Sequence, residues 1–242
     1  MPAEGTPALL WLPGLAHAGA EFTLEPDDAH YVARVCRAQV GERIEATDGE
    51  GTRATLDVLA VRGEVRVRKE ALRREAPPPR VVVACGVPEK DRADWLVEKL
   101  AELGVSDFQP LECERGRWER FASRRERLAR LAVAALRQSR RAWLLKIHDP
   151  VGLSGWSASL GPDGGRWLAD ADGASAPVMA GPGPQAAAIG PSPGFSAAER
   201  DVFVKAGFRP VRLASGRLRT ETAAVAWASL WAASIAAGGP SG

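Results

Sequence analysis

The stretch Leu213–Ala223, which reads LASGRLRTETA, joins a short apolar run to a long alanine-rich segment near the end of the chain. This order predicts a strand that ends at Leu213, a tight loop around Gly216 and then a helix. Arg217 and Arg219 stand where the first N–H groups of a helix lack intrahelical partners, which suits a ligand with polar or anionic groups. On local composition alone, an ordinary strand-to-helix connection with exposed arginines is the simpler interpretation.

The composition is that of a globular protein with enough apolar residues for a substantial core. The chain has 242 residues, of which 45% are hydrophobic and 26% are charged, and its formal net charge is +2. This length fits one large domain or two small ones, and the nearly balanced charge excludes a polybasic nucleic-acid coat. Local clusters of arginine still allow contact with RNA or DNA.

The cysteines and the apolar stretches indicate where the protein works. Cys36, Cys85 and Cys113 are odd in number and widely spaced, which predicts reduced thiols in a cytoplasmic protein rather than a disulfide framework or a metal site. The N-terminus has no basic region before its first apolar run, so we expect no signal peptide. The alanine-rich stretch Ala223–Ala237 is too short and too weakly apolar to span a membrane.

The first part of the chain has the pattern of a small β-barrel. Short alternating segments run from Ala8 to Lys69, and Asp48-Gly49-Glu50-Gly51 is a strong turn signal between two of them. A helical pattern from Asp28 to Arg37 interrupts them. Three consecutive prolines at 77–79 then break regular structure. We therefore predict a first domain over 1–72, a Pro-rich linker over 73–80 and a second domain over 81–242.

The second domain alternates strands and helices, which predicts a mostly parallel sheet covered by helices. Capping boxes at Ser123–Glu126 and Ser196–Glu199 predict two of the helix starts. Ligands bind beyond the carboxyl ends of parallel strands, so the loops after Leu168, at 190–194 and at 214–219 should share one site. The sequence contains neither the glycine fingerprint of dinucleotide-binding folds nor a phosphate-binding P-loop. Strands are expected over 81–85, 105–111, 166–169, 186–189 and 209–213.

Several short motifs follow one another along nearly the whole chain. They are His30-Tyr31-Val32-Ala33-Arg34-Val35-Cys36-Arg37, Asp48-Gly49, Glu102-Leu103-Gly104-Val105, Glu112-Cys113-Glu114-Arg115, Gln138-Ser139-Arg140, Gly190-Pro191-Ser192-Pro193-Gly194-Phe195-Ser196 and Leu218-Arg219-Thr220-Glu221-Thr222-Ala223. In content and order this series resembles the ribosomal RNA small subunit methyltransferase E family, a branch of the trefoil-knotted SPOUT methyltransferases. An ordered series is far more specific than any one motif, so it favours a ligand site at Leu213–Ala223 over the simpler interpretation.

The resemblance implies an α/β protein built from an N-terminal PUA-like β-barrel that binds RNA and a C-terminal SPOUT domain with a trefoil knot. It implies that the SPOUT domain binds S-adenosyl-L-methionine (SAM) and forms a homodimer, with no metal and no membrane involved. The implied reaction is transfer of the methyl group of SAM to N3 of one uridine in the 16S rRNA of the small ribosomal subunit.

The resemblance also implies roles for particular residues. Arg219 is expected to stabilise the anion that forms when uracil N3 loses its proton, and Glu221 to orient Arg219 or to act as a base. The residues expected to bind SAM are Leu168, Ala169, Ile189, Gly190, Pro191, Gly194, Leu213, Ala214, Gly216, Leu218 and Thr222. The residues expected to contact RNA are His30, Arg34, Arg37, Lys90, Lys99, Arg115 and Arg140, although a lone histidine such as His30 is as often a packed structural residue.

Three departures from the family motifs keep other hypotheses open. Ser192-Pro193 replaces a Glu-Gly pair, Ala214-Ser215-Gly216 replaces Gly-x-Arg with Arg217 one position later, and Arg137 stands where the family has glutamate. Pro193 also lacks a backbone N–H that a cofactor could use. One alternative is a non-catalytic RNA-binding or ribosome-assembly protein with this fold. The other is a SPOUT methyltransferase that modifies a different RNA site.

Overall fold

Contacts within the chain divide it into two units in the computed structural model, which describes residues 9–90, 92–175 and 183–238. The first unit comprises Met1–Pro77 and Leu136–Leu144, and the second comprises Pro78–Ala135 and Leu145–Gly242. The sequence-based division at 72 and 81 assigns Leu136–Leu144 to the second domain, whereas the structure groups it with the first unit. The outer ends of the two predicted domains, 1–8 and 239–242, lie outside the described residues.

The first unit is built on a five-stranded sheet in the order β1-β3-β4-β5-β2. β1 and β3 are parallel, and the other pairs are antiparallel. Alternate side chains of the strands, such as Ile44, Leu56 and Val67, fill one core. The strands are β1 (Leu9–Trp11), β2 (Glu21–Thr23), β3 (Arg43–Thr47), β4 (Thr52–Ala60) and β5 (Arg66–Arg74), and the helical part is α1 (Pro26–His30) followed by a π-helix over Tyr31–Val35.

The predicted turn between β3 and β4 is confirmed. Asp48 Oδ1 accepts hydrogen bonds from the backbone N–H groups of Glu50, at 2.7 Å, and Thr52, at 2.9 Å. Gly49 and Gly51 have φ angles of 79° and 96°, which a side chain disfavours. The short carboxylate and the two glycines therefore set the register of the hairpin.

Leu136–Leu144 joins the first unit because its backbone pairs with this hairpin. Ala142 O accepts hydrogen bonds from Thr47 Oγ1, at 3.2 Å, and from Gly51 N, at 2.9 Å. Leu144 N donates to Gly49 O at 2.8 Å. The Trp143 ring packs so closely on Gly51 that a Cβ at that position would clash with it. These are pairings between residues far apart in sequence, so local pattern gave no sign of them.

The second unit is built on a parallel sheet in the order β12-β10-β11-β6-β7-β8, with β9 paired to β7, and the predicted alternation of strands and helices is confirmed. β6 and β11 are buried along their whole length, as expected for central strands covered on both faces. The strands are β6 (Val81–Cys85), β7 (Asp107–Glu112), β8 (Lys146–Ile147), β9 (Val151–Gly152), β10 (Gly165–Ser175), β11 (Gln185–Ile189) and β12 (Arg209–Arg212), and the helices are α2 (Arg92–Leu103), α3 (Phe121–Ser139), α4 (Leu153–Ser159), α5 (Ala197–Lys205) and α6 (Thr220–Gly238).

One of the two predicted capping boxes is confirmed. Ser196 Oγ accepts from Glu199 N at 3.2 Å, and Glu199 Oε2 accepts from Ser196 N at 2.8 Å, at the start of α5. The box predicted at Ser123–Glu126 is wrong, because α3 begins earlier, at Phe121. Phe121 is buried edge-on against Trp118, and this packing places the helix start ahead of Ser123.

The part of the chain that the structure describes contains neither a helix that could span a membrane nor a cluster of metal-binding side chains. Across 9–90, 92–175 and 183–238 the helices are all too short or too polar to cross a membrane. Within the same ranges, His, Cys, Asp and Glu side chains do not come together in groups of three or more that could hold a metal ion.

The three cysteines give a chemical test of this fold. Burial raises the pKa of Cys113 to about 12 and that of Cys85 further, so both thiols stay protonated at neutral pH. Cys36 is half-buried, and its pKa is raised less. Because the thiolate is the reactive form, we expect iodoacetamide to alkylate Cys36 first in the native protein and all three in denaturant. Mass spectrometry of tryptic peptides measures this, and early labelling of Cys85 would contradict the fold.

Candidate active site

A cleft opens at the carboxyl ends of three neighbouring parallel strands, β10, β11 and β12. The loops that follow these strands form its walls, so the predicted meeting of the three loops is confirmed. The cleft encloses about 690 Å³ of empty space, which includes open solvent. Its lining residues are Ala169, Asp170, Ala171, Ile189, Gly190, Pro191, Ser192, Gly194, Phe195, Val211, Arg212, Leu213, Ala214, Gly216, Arg217, Leu218, Thr220 and Ala223.

Most residues predicted to bind a cofactor line this cleft, but Leu168 and Thr222 do not. Leu168 is buried in the core on which the sheet and α5 pack. Thr222 is exposed on α6, whereas Thr220 and Ala223 face the cleft. Residues two apart on a helix point in different directions, and residues three apart share a face, so helical spacing favours 220 and 223. The predicted residues that line the cleft are Ala169, Ile189, Gly190, Pro191, Gly194, Leu213, Ala214, Gly216 and Leu218.

Sequence reasoning missed several polar residues of the cleft, above all Asp170. Ala169 and Ala174 both pair with Val211 of β12, so the residues between them bulge out of β10. This bulge brings Asp170 to the cleft, and Gly173 permits it because a Cβ there would lie 2.6 Å from Val211 N. The glycine at 173 was the one available signal. The other polar lining residues that the predicted SAM-binding set leaves out are Ser192, Arg212, Arg217 and Thr220, although Arg217 was expected to lie near a ligand.

Hydrogen bonds tie the cleft loops to one another. Thr220 Oγ1 donates to Gly190 O at 2.9 Å, which joins the start of α6 to the loop after β11. Arg217 Nη2 donates to Ser192 O at 3.0 Å across the same two loops. Ser192 and the shifted Arg217, which both depart from the family motifs, are therefore in direct contact.

A third loop, between β6 and α2, joins this network through Glu89. The Ser192 hydroxyl donates to Glu89 Oε1. This hydrogen bond, together with the nearby positive charges of Arg219 and Lys90, holds the pKa of Glu89 below its usual value. Glu89 therefore stays ionised at neutral pH, with the positive charges of Arg219 and Lys90 nearby.

The two residues predicted to be catalytic lie at the start of α6, outside the lining of the cleft. Arg219 is exposed. Glu221 is buried, with its side chain 4% exposed, and its Oε1 lies 3.9 Å from Arg92 Nε. Its Oε2 is buried without a hydrogen-bond partner among the described residues. The ion pair of Glu221 is thus with Arg92 of α2, and the described residues contain no ion pair between Glu221 and Arg219.

The residues predicted to contact RNA are distributed over both units. In the first unit His30, Arg34 and Arg37 are exposed, and Arg140 forms an ion pair with Glu45 at 2.7 Å. In the second unit Lys90 and Arg115 are exposed. Lys99 is bound by Glu98 and Glu102, at 2.7 Å and 2.8 Å, so its charge is largely neutralised on its own helix. The exposed cations are better suited to phosphate than Lys99.

Unusual backbone conformations coincide with three of these residues. Arg37, Lys90 and Arg140 have φ angles of 54°, 51° and 56°, and among the described residues no other non-glycine has a positive φ. Such conformations are uncommon, and each costs on the order of 1 kcal/mol, so they persist only where surrounding structure holds them. They concentrate at functional sites, which favours a binding role for these loops.

Comparison with protein families defines the class of protein. A model described as an RNA methyltransferase domain matches residues 74–232, and one described as an RNA methyltransferase PUA domain matches residues 24–69. The fold, with its cleft at the carboxyl edge of a parallel sheet, is accordingly that of a two-part RNA methyltransferase. The match to the catalytic-domain model alone spans more than half of the chain.

Individual relatives define the family. A protein from Synechocystis is 28% identical over 213 residues, covering 84% of this chain and 70% of the relative. One from Aquifex aeolicus is 30% identical over 173 residues, covering 66% and 72%. Both are named ribosomal RNA small subunit methyltransferase E, and this chain belongs to that family. A methyltransferase from Legionella pneumophila, solved in complex with SAM, is 26% identical with a TM-score of 0.81, covering 96% of this chain and 98% of that one.

Gly86 tests how tightly the cleft is built. A Cβ at Gly86 would lie 2.6 Å from Pro191 N and 2.7 Å from Pro191 Cδ, so Gly86→Ala must push the loop after β11 aside. We expect overpacking to cost about 1–3 kcal/mol and to lower Tm by about 3–10 °C in thermal unfolding. Gly152→Ala is the matched control, because a Cβ there would meet no heavy atom within 4 Å. Equal Tm values for the two variants would contradict the close contact of Gly86 with Pro191.

Proposed function

We propose that this protein transfers the methyl group of SAM to N3 of a uridine in the 16S rRNA of the small ribosomal subunit. The main observation behind the proposal is the cleft. Its walls are the three loops that are expected to bind SAM from the resemblance to the family. The name shared by the Synechocystis and Aquifex relatives supports ribosomal RNA as the substrate. The SAM complex of the Legionella relative supports the cofactor.

The residues of the cleft fit the chemistry of SAM. Ile189, Leu213 and Leu218 supply apolar walls that suit an adenine ring, and Asp170 supplies a carboxylate that suits ribose hydroxyls or an ammonium group. A Cβ at Gly194 or Gly216 would meet nothing within 4 Å, so the backbone at both positions borders open space. Bound SAM supplies a methyl group already activated on a sulfonium, so the side chains of the cleft serve mainly to bind and orient it.

Arg219 is the proposed catalytic residue. Uracil N3 carries a proton, and it becomes nucleophilic when that proton passes to solvent water and negative charge spreads onto the flanking carbonyl oxygens. Arg219 is exposed at the start of α6, beside the cleft residues Leu218 and Thr220, where its guanidinium can stabilise this charge. Glu221 is proposed to act through Arg92 by fixing the start of α6, because its buried carboxylate is turned toward α2 rather than toward solvent.

RNA recognition is proposed to depend on cations of both units. The exposed residues His30, Arg34, Arg37, Lys90 and Arg115 are suited to phosphate contacts, which position an RNA without reading its sequence. Lys99 and Arg140 complete the proposed set, although glutamates offset part of their charge. A target base in folded RNA must be turned out of its stack to reach such a cleft.

We also propose that the second unit carries the trefoil knot and forms a homodimer, and that the protein works in the cytoplasm. Trp95 on α2 and Leu230 and Ile235 on α6 support the dimer, because these large apolar side chains are 40%, 42% and 37% exposed. α2 and α6 pack against each other, so these side chains belong to one layer of the unit. Exposed apolar surface of this kind favours association with another protein surface.

Arg219→Ala tests the catalytic assignment. We expect methyl transfer to fall by about 100-fold or more, because one charge-stabilising group is lost. SAM affinity, measured by calorimetry, should stay within about twofold, since Arg219 does not line the cleft. Arg130→Ala, which removes an exposed arginine from α3, is the control and should leave the rate unchanged. Full activity of Arg219→Ala would disprove the role, and failure of the wild-type protein to bind millimolar SAM would favour the non-catalytic alternative.

Deletion of the gene tests the substrate. Mass spectrometry of 16S rRNA from the deletion strain should show loss of one N3-methyluridine, and expression of the wild-type protein should restore it. The Arg219→Ala protein should not restore it, which separates the chemistry from any role in assembly. Retention of N3-methyluridine together with loss of a different methylated nucleotide would point to the other alternative, a methyltransferase with another RNA target.

A further inference from the structure

The segment His30–Arg37 contains three residues proposed to contact RNA, which are His30, Arg34 and Arg37. Its backbone adopts two uncommon conformations. α1 ends at His30, and the chain continues as a π-helix over Tyr31–Val35, a form that is rare and often found at functional sites. Two residues further on, Arg37 has a φ of 54°. Neither conformation is favoured by local sequence alone, so contacts from outside the segment must select it.

Arg137, at the C-terminal end of α3 in the part assigned to the first unit, makes such contacts. Its Nη2 lies 2.9 Å from Asp28 Oδ1, and its guanidinium carbon lies 4.7 Å from the centre of the Tyr31 ring. The Arg137 and Asp28 side chains are only 23% and 18% exposed. A planar guanidinium can pair with a carboxylate and stack on an aromatic ring at once, which lysine cannot do as well. We call Asp28, Tyr31 and Arg137 the clamp.

Tyr31 connects the clamp to the rest of the segment His30–Arg37. Its carbonyl accepts from Cys36 N at 2.9 Å, and its side chain is near enough to the Cys36 thiol for each group to shift the pKa of the other. Cys36 directly precedes Arg37, and Arg34 lies between Tyr31 and Cys36 in the π-helical turn. An arginine held on the Tyr31 ring therefore holds the turn that presents Arg34 and Arg37.

We propose that Arg137 is a positioning residue for RNA binding, which acts by clamping Asp28 and Tyr31 so that Arg34 and Arg37 are presented in a fixed geometry. The proposal rests on the proposed RNA-binding function of the first unit. Arg137 stands where the related family has glutamate, and a glutamate at this position would repel Asp28. The clamp is accordingly a feature of this chain's own residues.

Asp28→Ala is the decisive variant, because loss of its negative charge and loss of the clamp should change RNA affinity in opposite directions. Removal of a negative charge beside an RNA surface should by itself tighten binding. Loss of the clamp should instead weaken binding by about fivefold, the effect expected for a partly buried ion pair backed by a cation–π contact. Affinity is measured by filter binding to small ribosomal subunits from the deletion strain. Unchanged or tighter binding by Asp28→Ala would overturn the proposal.

Arg137→Gln and a charge-matched control complete the binding test. Arg137→Gln should weaken binding to a similar degree, and combining it with Asp28→Ala should add little, because both variants remove one contact. Arg43→Gln also removes a positive charge from the first unit, but Arg43 pairs with Asp57 at 3.3 Å and is itself 75% exposed. A loss of affinity in Arg43→Gln equal to that in Arg137→Gln would assign the effect to net charge and overturn the clamp.

The single tyrosine of the chain supplies a readout that is independent of RNA. Tyr31 is the only tyrosine, so ring-labelled tyrosine gives signals from the clamp alone in a carbon-13 NMR spectrum. We expect these signals to shift in Arg137→Gln, to move back toward wild type in Arg137→Lys, and to stay unchanged in Arg43→Gln. Thermal unfolding confirms that each variant is folded. Wild-type signals in folded Arg137→Gln would overturn the clamp.

A final variant separates this proposal from the function on which it rests. Arg34→Gln combined with Arg37→Gln removes the two presented cations and leaves the clamp intact. If this variant binds subunits as wild type does, the proposed RNA surface is wrong. If it binds weakly while Asp28→Ala and Arg137→Gln bind normally, the RNA surface stands and the clamp is overturned.

Discussion

The parallel pairing of β10 with both β11 and β12 is the constraint on which the rest of the second unit depends. It places three strand ends at one edge of the sheet, so that loops from three separate parts of the sequence form the walls of one cleft. Ala169 and Ala174 pair with the same residue of β12, and the bulge between them brings Asp170 into the cleft. The close approach at Gly173 makes that bulge possible, so a single glycine controls the polarity of one wall.

Two departures from the family motifs, Ser192 and the shifted Arg217, contact each other in the folded structure. Ser192 receives a hydrogen bond from Arg217 on its carbonyl and gives one to Glu89 from its hydroxyl. The three residues come from three separate loops, and the negative charge of Glu89 faces Arg219 and Lys90. A serine in place of the family's acidic residue is thus accompanied by a carboxylate from a different loop. The loop after β11 is therefore held in place by hydrogen bonds to both Arg217 and Glu89.

In the first unit, too, the important contacts join residues that are far apart in sequence. Leu136–Leu144 follows the basic end of α3, yet its backbone pairs with the hairpin between β3 and β4. The segment just before that pairing brings Arg137 onto Tyr31 and Asp28, at the π-helical turn that carries Arg34 and ends two residues before Arg37. Arg137, which stands where the family has glutamate, is therefore the ion-pair partner of Asp28, which lies 109 positions earlier.

Sequence alone determined the alternation of strands and helices, the meeting of the three loops and the family, because buried strands, turn residues and ordered motifs are local signals. It also identified half of the residues that line the cleft. Only the tertiary structure decided that Thr220 rather than Thr222 faces the cleft, that Glu221 pairs with Arg92, and that α3 begins at Phe121. Helix phase, ion-pair partners and the bulge at Asp170 depend on contacts with residues remote in the chain. The stretch Leu213–Ala223 therefore fixed where the site is, and packing fixed which of its side chains reach it.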